Sequence, residues 1–184
     1  MDIRLLSQED AQELAEVMKV TWQETYPEFC EQESALLECL FNIEQIKNDL
    51  NEDKNYFFGA WNEGRLIGYA KVVIKTDSSF LDKIYVQTAF HRQGIGKQLL
   101  LRCCKEVIAS GINSMGLEVD EKNTNAIGFY EKHGFKCNPI KRLFPSTGPE
   151  LYYDYLMLNT NLKSLVEKLE TGVTAENTGL RVTC

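Results

Sequence analysis

Apolar residues along this chain recur every second position in some stretches and every third or fourth in others, and each change of period marks an element boundary. Residues 2–6 alternate as a strand does. Ser7 opens Ser-Gln-Glu-Asp, a helix cap followed by acids in the first turn. Ala11, Leu14, Ala15 and Met18 then fall at helical spacing, which predicts a helix to about Thr21–Thr25, stopped by Pro27. A second helical piece is predicted over about 31–41, and Asn42 can cap a third over 43–50.

Residues 56–61 predict a strand, and Asn62-Glu63-Gly64-Arg65 a hairpin turn into a return strand from Leu66 to about Lys75. A further turn leads to a strand from Phe80 to Val86. Simple alternation puts Phe80, Asp82, Ile84 and Val86 on one of its faces, and Leu81, Lys83 and Tyr85 on the other. A helix over about 95–110 carries Ile95, Leu99, Cys103 and Val107 in one row and Leu100, Cys104 and Ile108 in the next, a broad stripe for packing on a sheet. Gly111 ends it, and Met115, Leu117 and Val119 form the next strand. Strand, helix and strand in this order make a right-handed crossover, hence two parallel strands inside a mixed sheet. Asn123 or Asn125 opens a short helix that Gly134 closes, a strand starts at Phe135, and the last strand covers 151–158. Beyond residue 160 the pattern supports a short helix and a polar tail. No internal repeat and no second domain is expected.

A length of 184 residues suits one domain with a substantial core. The formal net charge of −7 argues against nucleic acid as a partner. Met1-Asp2-Ile3-Arg4 lacks the apolar run of a signal peptide, and no stretch approaches the roughly 20 apolar residues of a membrane span. The six cysteines show no metal-ligand spacing, and Cys103 and Cys104 sit on the apolar face of their helix. A reducing cytoplasm is the expected setting, with no metal.

The chemistry concentrates at His91-Arg92-Gln93-Gly94-Ile95-Gly96-Lys97. A strand, a glycine-bearing loop and a helix start leave backbone amides without partners, and glycines let that backbone approach a diphosphate closely. A dinucleotide fold is disfavoured, because the loop follows a meander of strands and not a first strand with an acid about 20 residues on.

Joined to Asn123-Thr124-Asn125-Ala126-Ile127-Gly128-Phe129-Tyr130-Glu131-Lys132-His133-Gly134-Phe135, the loop resembles the GNAT superfamily of N-acetyltransferases. The resemblance covers about residues 2–158. It implies an α/β fold of the α+β type: a mixed, mostly antiparallel sheet of six to seven strands, helices on both faces, and a central parallel pair splayed around acyl-CoA. The acetyltransferase domain would span 1–160, with 161–184 a helical and polar tail. The resemblance further implies that the amides of residues 92–97 hold the CoA pyrophosphate, with His91 standing where Arg or Gln is usual. The main chain of Ile84, Tyr85 and Val86 would run beside pantetheine, with an amide near Val86 polarising the thioester. Tyr130 would protonate the leaving thiolate, as a phenol can at neutral pH. Asn123 would cap its helix and touch the cofactor. The base that takes the amine's proton is Asp82, Glu118 or ordered water; His91 and His133 are poorer candidates.

Thr21-Trp22-Gln23-Glu24-Thr25-Tyr26, Phe41-Asn42-Ile43-Glu44-Gln45-Ile46 and Gly68-Tyr69-Ala70-Lys71-Val72 are similar to a bacterial branch that includes polyamine acetyltransferases. The helices over 8–41 would then wall the acceptor groove with Glu24, Glu28, Glu31 and Glu33 beside Trp22, Tyr26 and Phe29. Carboxylates and aromatic faces suit an alkylammonium chain, although a plain solvated acidic face has the same composition. The expected reaction is direct transfer from acetyl-CoA to a primary amine, with a polyamine such as spermidine as leading acceptor. A protein or peptide N-acetyltransferase and a non-catalytic acyl-CoA sensor are the alternatives. No membrane partner is expected, and a homodimer is left open.

Overall fold

The computed structural model describes residues 1–25, 41–144 and 152–171. Seven strands form one sheet. β1 (Asp2–Leu5), β2 (Asn55–Asn62), β3 (Arg65–Ile74) and β4 (Ser79–Val86) lie side by side, each antiparallel to the next. β5 (Met115–Asp120) joins β4 in parallel, and β7 (Tyr152–Asn159) lies between β5 and β6 (Lys136–Phe144), antiparallel to both. This is the mixed, mostly antiparallel sheet expected from the sequence, with one parallel pair at its centre.

Helices cover both faces. On one, α1 (Ala11–Thr25) and α2 (Ile43–Leu50) enclose Leu14, Met18, Ile46, Phe57 and Tyr69. On the other, α3 (Ile95–Ala109), α4 (Thr124–Lys132) and α5 (Leu162–Thr171) pack over the remaining core, which includes Leu99, Val107, Leu117, Met157 and Tyr130. α5 lies against α3, with Leu162, Leu165 and Leu169 buried and Glu170 paired to Lys105 at 2.6 Å. The helix predicted over 31–41 falls outside the described residues except for Phe41, as do Tyr26, Glu28, Phe29, Glu31 and Glu33.

The start of α1 follows from its sequence. Ser7 caps a 3-10 turn, Gln8–Asp10, and the Asp10 carboxylate in return accepts from the Ser7 amide at 2.9 Å. Arg4 grips the same carboxylate at 2.6 Å. That contact, helped by the Ser7 amide, outweighs burial and holds the Asp10 carboxyl below its ordinary value.

One expectation fails in β4. Lys71 opposes Lys83, but Val72 opposes Leu81, so Asp82 is an extra residue in the strand. Such a bulge inverts the alternation beyond it. Leu81 consequently shares the α3 face with Ile84 and Val86, while Tyr85 turns to the α1 face. The predicted grouping of Phe80 and Asp82 with Ile84 and Val86 is thereby corrected.

The bulge also marks where the sheet opens. Phe80–Gly116 and Leu81–Leu117 are the residue pairs that join β4 to β5. The Phe80 ring lies over Gly116, where an added Cβ would come within 3.4 Å of it. Ser79 Oγ donates to the Ser114 carbonyl at 2.7 Å and pins the closed end. Beyond these pairs β4 continues to Val86 and β5 to Asp120 without pairing to each other.

Candidate active site

The backbone of β4 past the bulge is oriented by its partner on the other side. The Gln87 amide donates to the Ile67 carbonyl in β3 at 2.9 Å. Hydrogen-bonded pairs alternate along antiparallel strands, so Tyr85 likewise faces its partner Tyr69. The amide and carbonyl groups of Ile84 and Val86 therefore point away from β3, into the opening beside β5. The Tyr85 ring stacks on Tyr69 at 5.8 Å between centroids. Burial pushes the Tyr69 phenol well above its ordinary value, so it stays protonated.

After β4 the chain makes a 3-10 turn, Thr88–Phe90, and then the exposed loop His91–Gly94. Arg92 adopts φ +60° and Gly94 φ +79°. Gly94 is the residue before α3, and no side chain caps that helix. The first helical bond there is Gln98 N–H to the Gly94 carbonyl at 3.1 Å, so the amides of Ile95, Gly96 and Lys97 have no partner within the helix. A Cβ at Gly94 would meet no atom within 4 Å, so space over the loop is open. Uncapped amides, a positive helix end and open space fit an anionic phosphate group.

The second motif comes to the same place. A Cβ on Gly96 would sit 3.7 Å from the Phe129 ring, so the first turn of α3 abuts α4. Asn123 caps α4 by accepting from the Ala126 amide at 3.0 Å. Tyr130 is buried in the core, edge-on to Phe129 at 5.4 Å and to Phe135 at 5.7 Å. His133 donates from Nδ1 to the Phe129 carbonyl at 2.6 Å, and burial pulls its imidazolium below the ordinary value.

Both candidate bases project to the α1 face from opposite lips of the opening. Asp82 stands at the bulge, 2.8 Å from Lys83 Nζ and 3.5 Å from Lys71 Nζ. Lys71, itself 11% exposed, also binds Asp49 of α2 at 2.8 Å and lies over the Phe57 ring. Burial pushes the Asp82 carboxyl up, but Lys83 and Lys71 together outweigh it and hold it below its ordinary value. A carboxylate held in this way is a weak proton acceptor at neutral pH. Glu118 lies between Leu117 and Val119, which pack on the α3 side, so it faces α1. Asp120 shares its face, and Asp154 of β7 stands directly across from Asp120. Burial, then Asp120 and Glu118, push the Asp154 carboxyl up.

A model of the acetyltransferase (GNAT) family matches residues 13–135, the span that contains all but the first two residues of α1, the opening, the glycine loop and α4. The chain belongs to the GNAT acetyltransferase family. This GNAT chain is 30% identical over 142 residues to a spermidine N(1)-acetyltransferase of Thermoplasma acidophilum, covering 74% of itself and 88% of the relative. It is 31% identical over 99 residues to the ribosomal protein bS18-alanine N-acetyltransferase of Escherichia coli K12, covering 53% of itself and 67% of that enzyme. Its fold matches the crystal structure of the PaiA N-acetyltransferase from Thermoplasma acidophilum in complex with coenzyme A. The TM-score is 0.72 at 27% identity, covering 87% of this chain and 99% of that one.

Two features of this GNAT site are not carried by its motifs. Asp120 and Asp154 become neighbours only through the β5–β7 register, and the one sign of it in the sequence is an acid within the apolar run Tyr152–Leu158. Glu24, expected in the acceptor wall, has its carboxylate 2.9 Å from the Thr88 amide. Cys103 and Cys104 are fully buried; burial raises the first thiol well above its ordinary value and the second to about 12. Neither is poised as a nucleophile. Among the described residues, no helix is long and apolar enough to cross a membrane.

Proposed function

We propose that the chain transfers the acetyl group of acetyl-CoA to a primary amine on a cationic acceptor, with a polyamine such as spermidine as the substrate class. The observation that carries the acceptor is the run of carboxylates Glu118, Asp120 and Asp154 on the α1-facing side of β5 and β7. Like charges directly across a strand pair oppose folding, and an alkylammonium chain relieves that repulsion. The likeness to a spermidine N(1)-acetyltransferase supports the same class.

In this reading the CoA pyrophosphate lies on the amides of residues 92–97, and pantetheine pairs with the outward backbone groups of Ile84 and the outward amide of Val86, whose carbonyl is engaged by His91. The neutral amine attacks the thioester carbonyl carbon, and a β4 amide stabilises the negative charge that develops on the carbonyl oxygen. As the C–S bond breaks, Tyr130 gives its proton to the thiolate sulfur. The proton lost by the amine passes to Glu118, directly or through water. Asp82, ionised and tied to two lysines, shapes the opposite lip and takes no proton. Asn123 sets the start of α4 and so the approach of Tyr130.

A panel of acceptors assayed with acetyl-CoA tests the substrate class. Spermidine and spermine should be acetylated with higher kcat/KM than peptides beginning with alanine. Turnover of such peptides with none of the polyamines would overturn the assignment in favour of a peptide N-acetyltransferase.

A further inference from the structure

The turn that joins β4 to the glycine loop is capped from outside. Gln87, the residue before Thr88–Phe90, supplies no side-chain cap. Oε2 of Glu24, on the last turn of α1 and 64 residues away in sequence, instead accepts from the Thr88 amide at 2.9 Å. On the other side of the turn His91 folds back, and its Nε2 lies 2.7 Å from the Val86 carbonyl oxygen. A carbonyl only accepts, so that nitrogen is the protonated one. Gln87 meanwhile holds to β3 through the Ile67 carbonyl. Residues 86–91 are thus fixed to β3, to α1 and to themselves. The outward groups of Val86 precede this segment's turn and the uncapped amides of α3 follow it.

We propose that Glu24 is a positioning residue of the donor site, capping the Thr88–Phe90 turn so that β4 and the glycine loop stand at the angle acyl-CoA requires, with His91 closing the brace from the loop side. The proposal rests on the acyl-CoA reading given above. A carboxylate accepting from a first-turn amide is what an N-cap residue does, and here a neighbouring helix does it. A segment ordered before the ligand arrives loses less freedom when it binds. The Glu24 carboxylate, expected in the acceptor wall, is therefore used on the protein's own backbone. Glu24 and Thr88 are both exposed, which limits the size of the effect.

The discriminating variants are Glu24→Gln, whose amide oxygen still accepts, and Glu24→Ala, which has no acceptor. Binding of CoA is read by calorimetry, KM values are read with acetyl-CoA and spermidine, and melting confirms folding. Glu24→Ala should weaken CoA about three- to tenfold, the range of one hydrogen bond, and raise the KM for acetyl-CoA in step. Glu24→Gln should stay within about twofold, and neither should change the KM for spermidine. Thr88→Pro removes the amide itself; Gln87, at φ −54° and ψ 137°, already has the geometry that precedes proline. In a Thr88→Pro background, Glu24→Ala should have no further effect on CoA. Unchanged CoA affinity in Glu24→Ala would overturn the proposal. So would equal losses in Gln and Ala that fall on the spermidine KM, since Glu24 would then act by charge on the amine. Wild-type protein unable to bind CoA would instead remove the donor-site reading itself.

Discussion

Tyr130 carries the largest share of the proposed chemistry, and it lies in the core between Phe129 and Phe135. A core tyrosine and an acid catalyst differ in what removing the hydroxyl does. Tyr130→Phe should lower kcat by about a hundredfold or more, the usual size of a general-acid contribution, while CoA affinity and melting temperature stay unchanged. A variant that loses stability and keeps its turnover would show packing to be the residue's role. Arg92 presents the opposite case, a side chain whose backbone is strained. At φ +60° it bears a penalty of about 1 kcal/mol that glycine would not. Gly94, at φ +79°, was legible in the sequence because few other residues adopt that conformation cheaply. Tyr130's surroundings were not, since they depend on which residues the fold brings against its ring.

At the level of the element, the start of α1 sets how that helix packs on β3, and its cap is testable through pH. Arg4 and the Ser7 amide favour the ionised form of Asp10, so its folded value lies below the unfolded one. The stability from this cap is fully present above the ordinary aspartate value and is lost as pH falls through the depressed one. Asp10→Asn should cost about 1–2 kcal/mol at pH 7, within the range of cap and ion-pair losses. That deficit should shrink in urea titrations below about pH 4 and vanish once wild-type Asp10 is itself protonated. A deficit independent of pH would show that charge has no part in it. The Ser7 cap and the helical spacing after it were readable, because both are local. The bulge at Asp82 was not: one extra residue in β4 has meaning only against the register of β3. It moved Leu81 to the face of Ile84 and Val86 and placed Asp82 beside Lys71, which no alternation within β4 could anticipate.

For the whole molecule, the question is how far the acetyltransferase fold extends. The sequence places a boundary near residue 160, yet Leu162, Leu165 and Leu169 are buried in the core shared with α3. Burying each leucine contributes about 1.5–3 kcal/mol, so α5 supplies an amount comparable with the net stability of a typical domain. A chain ending at Thr160 should therefore lose cooperative thermal unfolding, whereas one ending at Thr171 should keep it. A chain ending at Thr160 that melts within a few degrees of the full protein would set the boundary where the sequence puts it.

The sequence by itself determined the elements, the parallel crossover, the uncapped glycine loop and its pairing with the Asn123–Phe135 motif. Each rests on short-range physics: periodicity that buries one face, glycines that accept a left-handed backbone, and helix ends that lack partners. Only the tertiary structure decided which backbone groups of β4 face the opening and which carboxylates line its far lip. It alone brought Glu24 to the Thr88 amide. Those depend on register and on contacts between residues far apart in the chain, and a one-residue shift in β4 redirects every side chain beyond it.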